Sequence, residues 1–349
     1  MIHSQGSMTA PLPLHTPDFM VGNCATTDAA EQAAYLHGWN QRYEQLSPGP
    51  FEGHVTEVCF SDVQLFRERT TRSIQESCQV LDDTFVIGVP IHMDGYGWCD
   101  GWQVDLDTLL MHRPGHDLLF RTSNSLDLVA VSLSQNDLIE HARVVDRLEV
   151  GQTLQRIEYA LRSPKLAEEL RNFLVTMMDS LNATPSMLAH AAIRKGLKEA
   201  VLSSVISVIG NATHENSAPR TSAGRQQIVS RAIDYMRTRI DEPISISDLC
   251  AVLGVSRRTL QYCFEEALQV NPVSYLKALR LNGVRKEIKR GNAAEVAIQD
   301  VAARWGFWHL SRFAQEYRQM FGELPSETLR THAVRQLGGG LPAFQPSRH

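Results

Sequence analysis

Two short helices joined by a tight turn are predicted by the stretch Ile246-Ser-Asp-Leu-Cys-Ala-Val-Leu-Gly-Val-Ser-Arg-Arg-Thr-Leu-Gln-Tyr-Cys-Phe264. Gly254 can end the first helix in the left-handed conformation, and Ser256 is a good N-cap for the second helix. The outer face carries arginine and glutamine, as in helix–turn–helix units that enter the DNA major groove. An ordinary helical hairpin with a solvated face explains this stretch alone equally well. The apolar stripes at helical spacing are Leu249, Val252 and Leu253, then Leu260, Cys263 and Phe264.

A second, imperfect copy of this layout lies downstream, in Ile298-Gln-Asp-Val-Ala-Ala-Arg-Trp-Gly-Phe-Trp-His-Leu-Ser-Arg-Phe-Ala-Gln-Glu-Tyr317. Gly306 occupies the position that Gly254 has in the first copy. Two copies in one chain are much harder to explain by generic helical packing, so the repeat favours DNA binding. The apolar positions of the second copy are Ile298, Val301, Ala302, Phe313 and Tyr317.

One long helix is predicted between the two copies, over residues 271–288. About seventeen residues at roughly 1.5 Å each span about 26 Å, comparable to the ~34 Å between successive major-groove faces on one side of B-DNA. We therefore expect both units to reach one side of a duplex. Cations on this helix suit phosphate contact, which sets affinity and salt dependence. These cations are Lys277, Arg280, Arg285 and Lys286.

The candidates for contact with base edges are side chains on the second helix of each copy. Arginine can bind guanine and glutamine can bind adenine through paired hydrogen bonds. For each residue, the alternative is a side chain that only faces solvent. Trp305 and Phe307 are expected in the core. The candidates for base contact are Arg258, Gln261, His309, Arg312 and Gln315, and the further DNA contacts are Ser256, Arg257, Tyr262 and Ser311.

The charge of the chain is unevenly distributed. The whole chain has a net charge of −5, but residues 220–335 hold 18 Lys and Arg against 12 Asp and Glu, a net charge of +6. The remaining residues therefore have a net charge of −11. This asymmetry indicates that one segment meets a polyanion and the other does not.

The composition, with 43% hydrophobic and 21% charged residues over 349 positions, is that of a globular protein with room for two domains. The six cysteines show no C-x-x-C and no framework spacing, so a reduced, cytoplasmic location is expected. No signal peptide or long apolar run is present, which argues against secretion and membrane spanning.

The first half predicts a β-rich domain followed by helices. A short helix is expected at Glu31–Leu46, and strand composition recurs from Phe51 to Leu133, at a spacing typical of an antiparallel barrel or sandwich. The helical part includes one helix through Leu154, Ile157 and Leu161. The predicted segments are a loose tail at 1–30, a β-rich sensing domain at 31–134, a helical dimerisation segment at 135–210, a linker at 211–221, a DNA-binding domain at 222–332 and a tail at 333–349.

Many spaced positions in the second half resemble the signature of AraC/XylS-family transcription regulators. The resemblance covers about residues 225–330. It implies a seven-helix domain with two helix–turn–helix units, promoter DNA and RNA polymerase as partners, and a homodimer. The matching residues are Ser256-Arg-Arg-Thr-Leu-Gln-Tyr-Cys-Phe264, Asn271-Pro272, Tyr275-Leu276, Arg280-Leu281, Gly306-Phe307, Phe313, Tyr317, Gly322 and Pro325.

A narrower resemblance is to the branch of ethanolamine utilisation operon regulators. It is carried by Trp39-Asn-Gln-Arg-Tyr-Glu-Gln-Leu-Ser-Pro-Gly-Pro-Phe51, Val63-Gln-Leu-Phe-Arg-Glu68 and Arg304-Trp-Gly-Phe-Trp-His-Leu310. In that branch the effectors are ethanolamine and a cobalamin, and the role is activation. The resemblance therefore implies a small amine or cobalamin effector, although residues 82–125 depart from the branch.

The expected fold class is α+β, with a cupin-like antiparallel β-barrel, a helical dimerisation segment and an all-α domain. A small barrel can enclose one ligand. The aromatic residues expected in its pocket are Phe85, Tyr96, Trp98 and Trp102, for each of which core packing is the alternative. The histidines His92, His112 and His116 lack the H-x-H pair and glutamate of a cupin metal site, so no metal is expected.

Three functions remain open at this point. The favoured one is a ligand-responsive transcription regulator that is not an enzyme. The second is a DNA-binding protein whose first half only dimerises or meets another protein. The third is a cupin-like enzyme fused to a DNA-binding domain. No P-loop, G-x-S-x-G or G-x-G-x-x-G motif supports a common enzyme class.

Overall fold

The structure is a computed structural model that describes residues 18–79, 83–114, 117–156, 160–212, 216–217, 221–239, 242, 244–291 and 297–337. Two antiparallel sheets and a helical layer form the first half, and a helical domain forms the second half. The fold class is therefore α+β. None of the described helices is both long and apolar enough to cross a membrane.

The larger sheet has the strand order β1-β3-β4-β11-β6-β9-β12-β13, and the smaller has the order β2-β5-β10-β7-β8. The strands are β1 (Phe19–Thr26), β2 (Asn40–Gln45), β3 (Gly53–Phe60), β4 (Val63–Thr70), β5 (Ile74–Gln79), β6 (Thr84–Met93), β7 (Gly97–Cys99), β8 (Trp102–Val104), β9 (Thr108–His112), β10 (Asp117–Arg121), β11 (Leu126–Ser134), β12 (Ala160–Arg162) and β13 (Asn216–Ser217).

The helices of the first half are α1 (Ala29–Gln32), α2 (Gln135–His141), α3 (Gly151–Arg156), α4 (Pro164–Ala183) and α5 (Ala191–Ala212). One face of the larger sheet packs against α4 and α5 in a core that includes Phe85, Ile87, Leu170 and Ile209. The other face is turned to the smaller sheet. The layers are therefore helices, large sheet and small sheet.

The helices of the second half are α6 (Ala223–Thr238), α7 (Ile246–Leu253), α8 (Arg257–Leu268), α9 (Pro272–Arg290), α10 (Ile298–Arg304), α11 (Leu310–Phe321) and α12 (Pro325–Leu337). They enclose one core around Phe264, Tyr275, Phe313 and Tyr317. The seven-helix arrangement expected from the resemblance is confirmed within the described residues.

The predicted barrel is wrong for the described residues. Closure of a barrel requires the first and last strands to pair, whereas β1 and β13 end the larger sheet on opposite sides and β2 and β8 end the smaller one. The strand composition expected between Phe51 and Leu133 is confirmed by six strands that have it, β3, β4, β5, β6, β9 and β11. The weaker runs that form the other strands were not recognised from the sequence.

The predicted helix over Glu31–Leu46 is also wrong. Only Ala29–Gln32 is helical, and Asn40–Gln45 forms β2, which pairs in antiparallel register with β5. Trp39 and Tyr43 have helical spacing, but Tyr43 lies on the edge strand β2 and is buried because it packs with Ala29, Phe51 and Ile74. Leu161 belongs to β12 and Ile157 lies outside the described residues, so the predicted helix through these positions is not observed.

Several predicted boundaries fall partly outside the described residues. Phe19–Thr26, expected in a loose tail, is strand β1, which pairs with β3. In the predicted linker, Asn216–Ser217 pairs with β12. The predicted C-terminal tail begins inside α12, and residues 338–349 are not described.

The sheet half and the helical domain meet along β2 and α9. Glu44 on β2 pairs with Arg237 on α6 at 2.8 Å. Gln45 Nε2 donates to the carbonyl of Met320 at 2.7 Å, and Asn282 Nδ2 donates to the carbonyl of Gln45 at 2.8 Å. Strand β2 therefore holds the helical domain through consecutive residues.

Candidate nucleic-acid interface

The first helix–turn–helix unit consists of α7, the turn at Gly254 and α8. Gly254 has φ of 66°, a left-handed conformation that suits glycine. A capping box between Ser245 and Asp248 begins α7. Ser256 begins α8 by accepting a hydrogen bond from the backbone N–H of Thr259 at 3.1 Å. The turn at Gly254 and the N-cap at Ser256 are confirmed as predicted, although Val252, expected in the stripe, is half exposed.

The second unit consists of α10, the turn at Gly306 and α11. Gly306 has φ of 78°, matching the turn of the first unit. Phe313 and Tyr317 anchor α11 in the core with an edge-on ring contact at 5.8 Å. Trp305 is partly buried, and its Nε1 donates to Glu287 on α9 at 2.6 Å. The second unit is therefore fixed against the long helix.

The predicted base and backbone contacts on α8 and α11 lie on the solvent side of their helices. The exposed residues are Ser256, Arg257, Arg258, Gln261, Tyr262, His309, Ser311, Arg312 and Gln315. Arg312 pairs with Glu316 at 3.2 Å, and Gln261 donates to Glu265 at 2.9 Å. These contacts run along exposed helix faces, where ion pairs contribute little and exchange readily with other partners. Both faces can therefore meet a polyanion.

The long helix α9 has 19 residues, which corresponds to about 29 Å. Its predicted phosphate contacts have different environments. Lys277 is partly exposed and pairs with Glu316 at 3.2 Å. Arg280 donates to the carbonyl of Ile244 at 3.1 Å. Lys277 therefore shares its partner Glu316 with Arg312, one of the exposed recognition residues.

Arg285 was predicted as a phosphate contact, but the structure places it inside the protein. Its side chain is 11% exposed and pairs with Asp28 at 2.6 Å and with Glu323 at 2.7 Å. Lys289 also binds Asp28, at 2.7 Å, and Glu31 at 2.6 Å. In this arrangement carboxylates of the protein, two of them in the sheet half, neutralise these cations in place of a phosphate.

Lys286 lines a cleft between the two halves of the chain, which we call the interdomain cleft. It has a volume of about 630 Å³ and is bordered by β2, β5 and β10 of the smaller sheet and by α6 and α9 of the helical domain. This position differs from the predicted phosphate contact, because α9 turns Lys286 toward the sheet half.

Trp308 was missed as a candidate contact. It is 74% exposed, directly before His309 at the start of α11. An exposed tryptophan beside the recognition face offers an apolar surface to a thymine methyl group or a sugar. The run Phe307-Trp-His309 could have indicated this contact, because Phe307 was expected in the core and the adjacent Trp308 was not.

The four aromatic residues predicted in a ligand pocket do not come together. Phe85 faces the helical layer, and Trp102 is buried against Ala160. Tyr96 and Trp98 contact each other edge-on at 6.3 Å near the β6–β7 turn. For Phe85 the reason is the alternation of side chains along β6, because Phe85 and Val86 point to opposite faces of the sheet and Val86 is the one between the sheets.

A cavity does lie between the two sheets, with other residues around it. Its volume is about 60 Å³. We call it the sheet cavity. Trp39, Phe66 and Phe120 supply aromatic walls, and Glu68 and Glu76 supply carboxyl groups. Both glutamates are buried.

Burial disfavours the charged form of both glutamates of the sheet cavity. Burial raises the pKa of Glu68 to about 7, although hydrogen bonds from Tyr43 and Gln32 oppose that shift. Burial also raises the pKa of Glu76 well above its ordinary value, and the charge of Glu68 adds to the effect. The Tyr43 hydroxyl donates to Glu68 at 2.9 Å. A cationic group in this cavity would compensate both carboxylates.

The histidines weighed as metal ligands are separated in the described structure. His92 is exposed, His112 borders the sheet cavity and His116 lies outside the described residues. In the described part of the chain, no three His, Cys, Asp or Glu side chains are grouped to hold a metal ion.

Known proteins resemble the helical domain. A family model described as a helix-turn-helix domain matches residues 249–331. The "Probable thc operon regulatory protein" of Rhodococcus erythropolis is 40% identical over 108 residues, which are 31% of this chain and 32% of that protein. "XylDLEGF operon transcriptional activator 2" of Pseudomonas putida is 33% identical over 105 residues, which are 30% of this chain and 67% of that protein. The chain belongs to the AraC/XylS family.

A solved structure is also similar to the AraC/XylS helical domain. It is a transcriptional regulator with an AraC-type DNA-binding domain from Chromobacterium violaceum, 31% identical, covering 32% of this chain and 97% of that chain with a TM-score of 0.30. The chain spans about a third of the length of the first curated relatives it matches. The expectation that this AraC/XylS chain is not an enzyme agrees with these relatives, which are regulators.

Proposed function

We propose that this chain binds promoter DNA with both helix–turn–helix units and regulates transcription in response to a small molecule. The proposal is carried by the two recognition helices, which share one layout and expose nine predicted contact residues. The long helix α9 joins the two units, and its length of about 29 Å is comparable to one turn of DNA. Activation, with RNA polymerase as a partner, is the mode we propose, since a curated relative is named a transcriptional activator.

Arg258→Ala tests the DNA-binding part of the proposal. The arginine is exposed on α8, and the variant should weaken binding to the target promoter by about 1–3 kcal/mol and relax the preference at one base pair. Fluorescence anisotropy with the promoter and a scrambled duplex would measure both effects. Arg330→Ala, on an exposed part of α12, is the matched control. An equal loss on both duplexes would show that Arg258 only contacts phosphate.

The sheet cavity supports a small amine as the effector. Two buried carboxyl groups and three aromatic walls suit an ammonium group, because both carboxylates and aromatic rings attract cations. A corrin is far larger than the cavity, so this site favours the amine of the two effectors expected from the ethanolamine branch. Ligand binding at this site would then act on β2 through Tyr43.

A thermal-shift screen with ethanolamine, other small amines and cobalamins tests the effector. Binding to the folded state raises the melting temperature, and Glu76→Gln should reduce the shift caused by an amine. Glu52→Gln, outside the cavity, is the control. If no compound shifts the parent protein, the alternative is favoured in which the first half only dimerises or meets a protein.

The helical segment after the sheets supports dimerisation. Val144, Val145 and Leu148 are exposed beside α2, and clustered exposed apolar residues are typical of interaction sites. We propose that they lie in a homodimer interface. Sedimentation of the parent and of Val145→Glu would test this, since the charge should favour the monomer without unfolding an exposed position.

A further inference from the structure

A carboxylate on α9 holds the end of α10, the first helix of the second helix–turn–helix unit. Glu287 accepts a hydrogen bond from Trp305 Nε1 through Oε2 at 2.6 Å. Its other oxygen accepts from Arg304, whose Nε lies at 3.1 Å, and the two side chains form an ion pair. Both donors stand directly before the turn at Gly306. One side chain on α9 therefore engages the segment that leads into the recognition helix α11.

The first unit is held in a different way. The residue before its turn glycine is Leu253, which offers no hydrogen-bond donor in the place of Trp305. Its helix α7 begins with the capping box of Ser245 and Asp248. In contrast, α10 has seven residues and begins after Ala297, whose methyl group cannot cap a helix. Because so short a helix is weakly stable by itself, α10 depends on contacts with its neighbours.

The contact with the indole ring is the more important of the two made by Glu287. The carboxylate is 35% exposed and Arg304 is 57% exposed, so their ion pair contributes little by itself. The ring of Trp305 lies against α9 at Gly283, where a Cβ would be 2.0 Å from it. Gly283 is one helical turn before Glu287. Packing therefore fixes the position of the ring, and the hydrogen bond fixes its orientation.

The charge of Glu287 makes a positioning role testable. Glu287 is an acidic residue in a basic domain, and a carboxylate repels a polyanion. Through charge alone, removal of Glu287 should strengthen binding to any DNA. If Glu287 instead orders the second unit, its removal should weaken binding to the promoter. The two effects have opposite directions.

We propose that Glu287 is a positioning residue that fixes α11 relative to α9, and thereby relative to the first unit. The inference rests on the proposed binding of promoter DNA by both units. Glu287 acts through Trp305 and Arg304 and does not itself contact DNA. A unit ordered before binding loses less conformational freedom on the promoter. The fixed orientation also sets the spacing between the two DNA segments that the chain reads.

Anisotropy of the full chain with three duplexes tests this role. Footprinting of the parent locates the protected segments, and the one whose protection weakens in Arg312→Ala is the second segment, read by α11. The duplexes are the promoter, the promoter with the second segment scrambled, and the promoter with one base pair inserted between the segments. Glu287→Ala should bind the promoter about tenfold more weakly, because an ordering charge-assisted contact is lost. It should bind the scrambled duplex like the parent and lose less affinity than the parent on insertion.

Two further variants control the experiment. Glu287→Gln keeps an acceptor for Trp305 and should show a smaller loss that depends on the second segment, so it carries the test if Glu287→Ala fails to fold. Asp300→Ala removes an exposed carboxylate of α10 and should bind the promoter as tightly as the parent or more tightly.

Unchanged or tighter promoter binding by the Glu287 variants would overturn the positioning role. So would an equal loss on the promoter and on the scrambled duplex, because a general loss of stability produces that result. In both cases the parent would still protect two segments, and the proposed function would stand. A parent that protects one segment only would contradict the proposed function, and the positioning role with it.

Discussion

Asp28 is the residue through which charge joins the two halves of the chain. Its carboxylate binds Arg285 and Lys289 at 2.6 and 2.7 Å and is 4% exposed. Burial alone would raise its pKa, but the two cations outweigh burial and lower the pKa to about 2. The same carboxylate caps α1 by accepting from the N–H groups of Ala30 and Glu31. The contact therefore depends on a charged Asp28.

We expect Asp28→Asn to lower the free energy of unfolding by about 2 kcal/mol at pH 7. The folded pKa lies below the unfolded value of about 3.9, so the stabilisation is present above pH 4 and is lost as the pH falls toward 2. Urea denaturation of both proteins at several pH values would measure this. Asp94→Asn, at an exposed turn, is the control. A difference that stays constant down to pH 2 would contradict the role of the charge.

The candidate contacts on α8 and α11 could be predicted because local signals decide them. Ser256 and Gly254 set the helix ends, and the apolar stripe then fixes which side chains face outward. The direction of Arg285 could not be predicted in this way. Its partner Asp28 is 257 positions away, and only the folded chain brings them together.

Among the helices and strands, α8 is decided by local sequence, whereas β2 depends on a distant partner. The helix is encoded within its own residues, whereas β2 is a strand because it pairs with Ile74–Gln79, about 34 positions downstream. Helical spacing of Trp39 and Tyr43 was a local coincidence that tertiary pairing overrode. The barrel was mispredicted for a related reason, since strand composition does not specify which edges pair.

The packing of α9 against α10 depends on a glycine. A Cβ at Gly283 would lie 2.0 Å from the ring of Trp305, so the indole occupies the space that any other residue would need. Glycine in a helix is disfavoured by about 1 kcal/mol relative to alanine. Packing of Trp305 against Gly283 therefore offsets the loss of helix stability that the glycine causes in α9.

We expect Gly283→Ala to destabilise the protein by about 1–3 kcal/mol, because Trp305 must move. Gly196→Ala is the matched control. Gly196 is exposed in α5, and no atom lies within 4 Å of the position that an alanine Cβ would take, so alanine there should stabilise by about 0.5–1 kcal/mol. Urea denaturation would compare the two. Stabilisation by both changes would show that Trp305 does not constrain α9.

On the scale of the whole molecule, the sheet half covers part of the helical domain. Gly49 donates its N–H to the carbonyl of Met320 at 3.0 Å, and Leu46 packs into the core around Tyr275. Arg285 and Lys289 are covered in the same region. The recognition residues of α8 and α11 are outside this contact and stay exposed. The acidic half therefore neutralises one face of the basic domain and leaves another available.

We expect residues 220–335 alone to bind promoter DNA without responding to an effector. Its salt dependence should be at least as steep as that of the full chain, because Arg285 and Lys289 lose the carboxylates of Asp28 and Glu31. Anisotropy at several salt concentrations would compare the two proteins. An insoluble or non-binding fragment would instead show that the sheet half is needed to fold the helical domain.

Three successive residues of β2 contact two different parts of the molecule, the sheet cavity and the helical domain. Tyr43 donates to Glu68 at the sheet cavity, while Glu44 and Gln45 bond to Arg237 and Met320 of the helical domain. Coupling between two binding sites is reciprocal in free energy. If an amine that displaces Tyr43 changes the affinity for promoter DNA by a given factor, the promoter must change the affinity for the amine by that same factor. A promoter-bound chain should then sense a different range of amine concentrations from a free one.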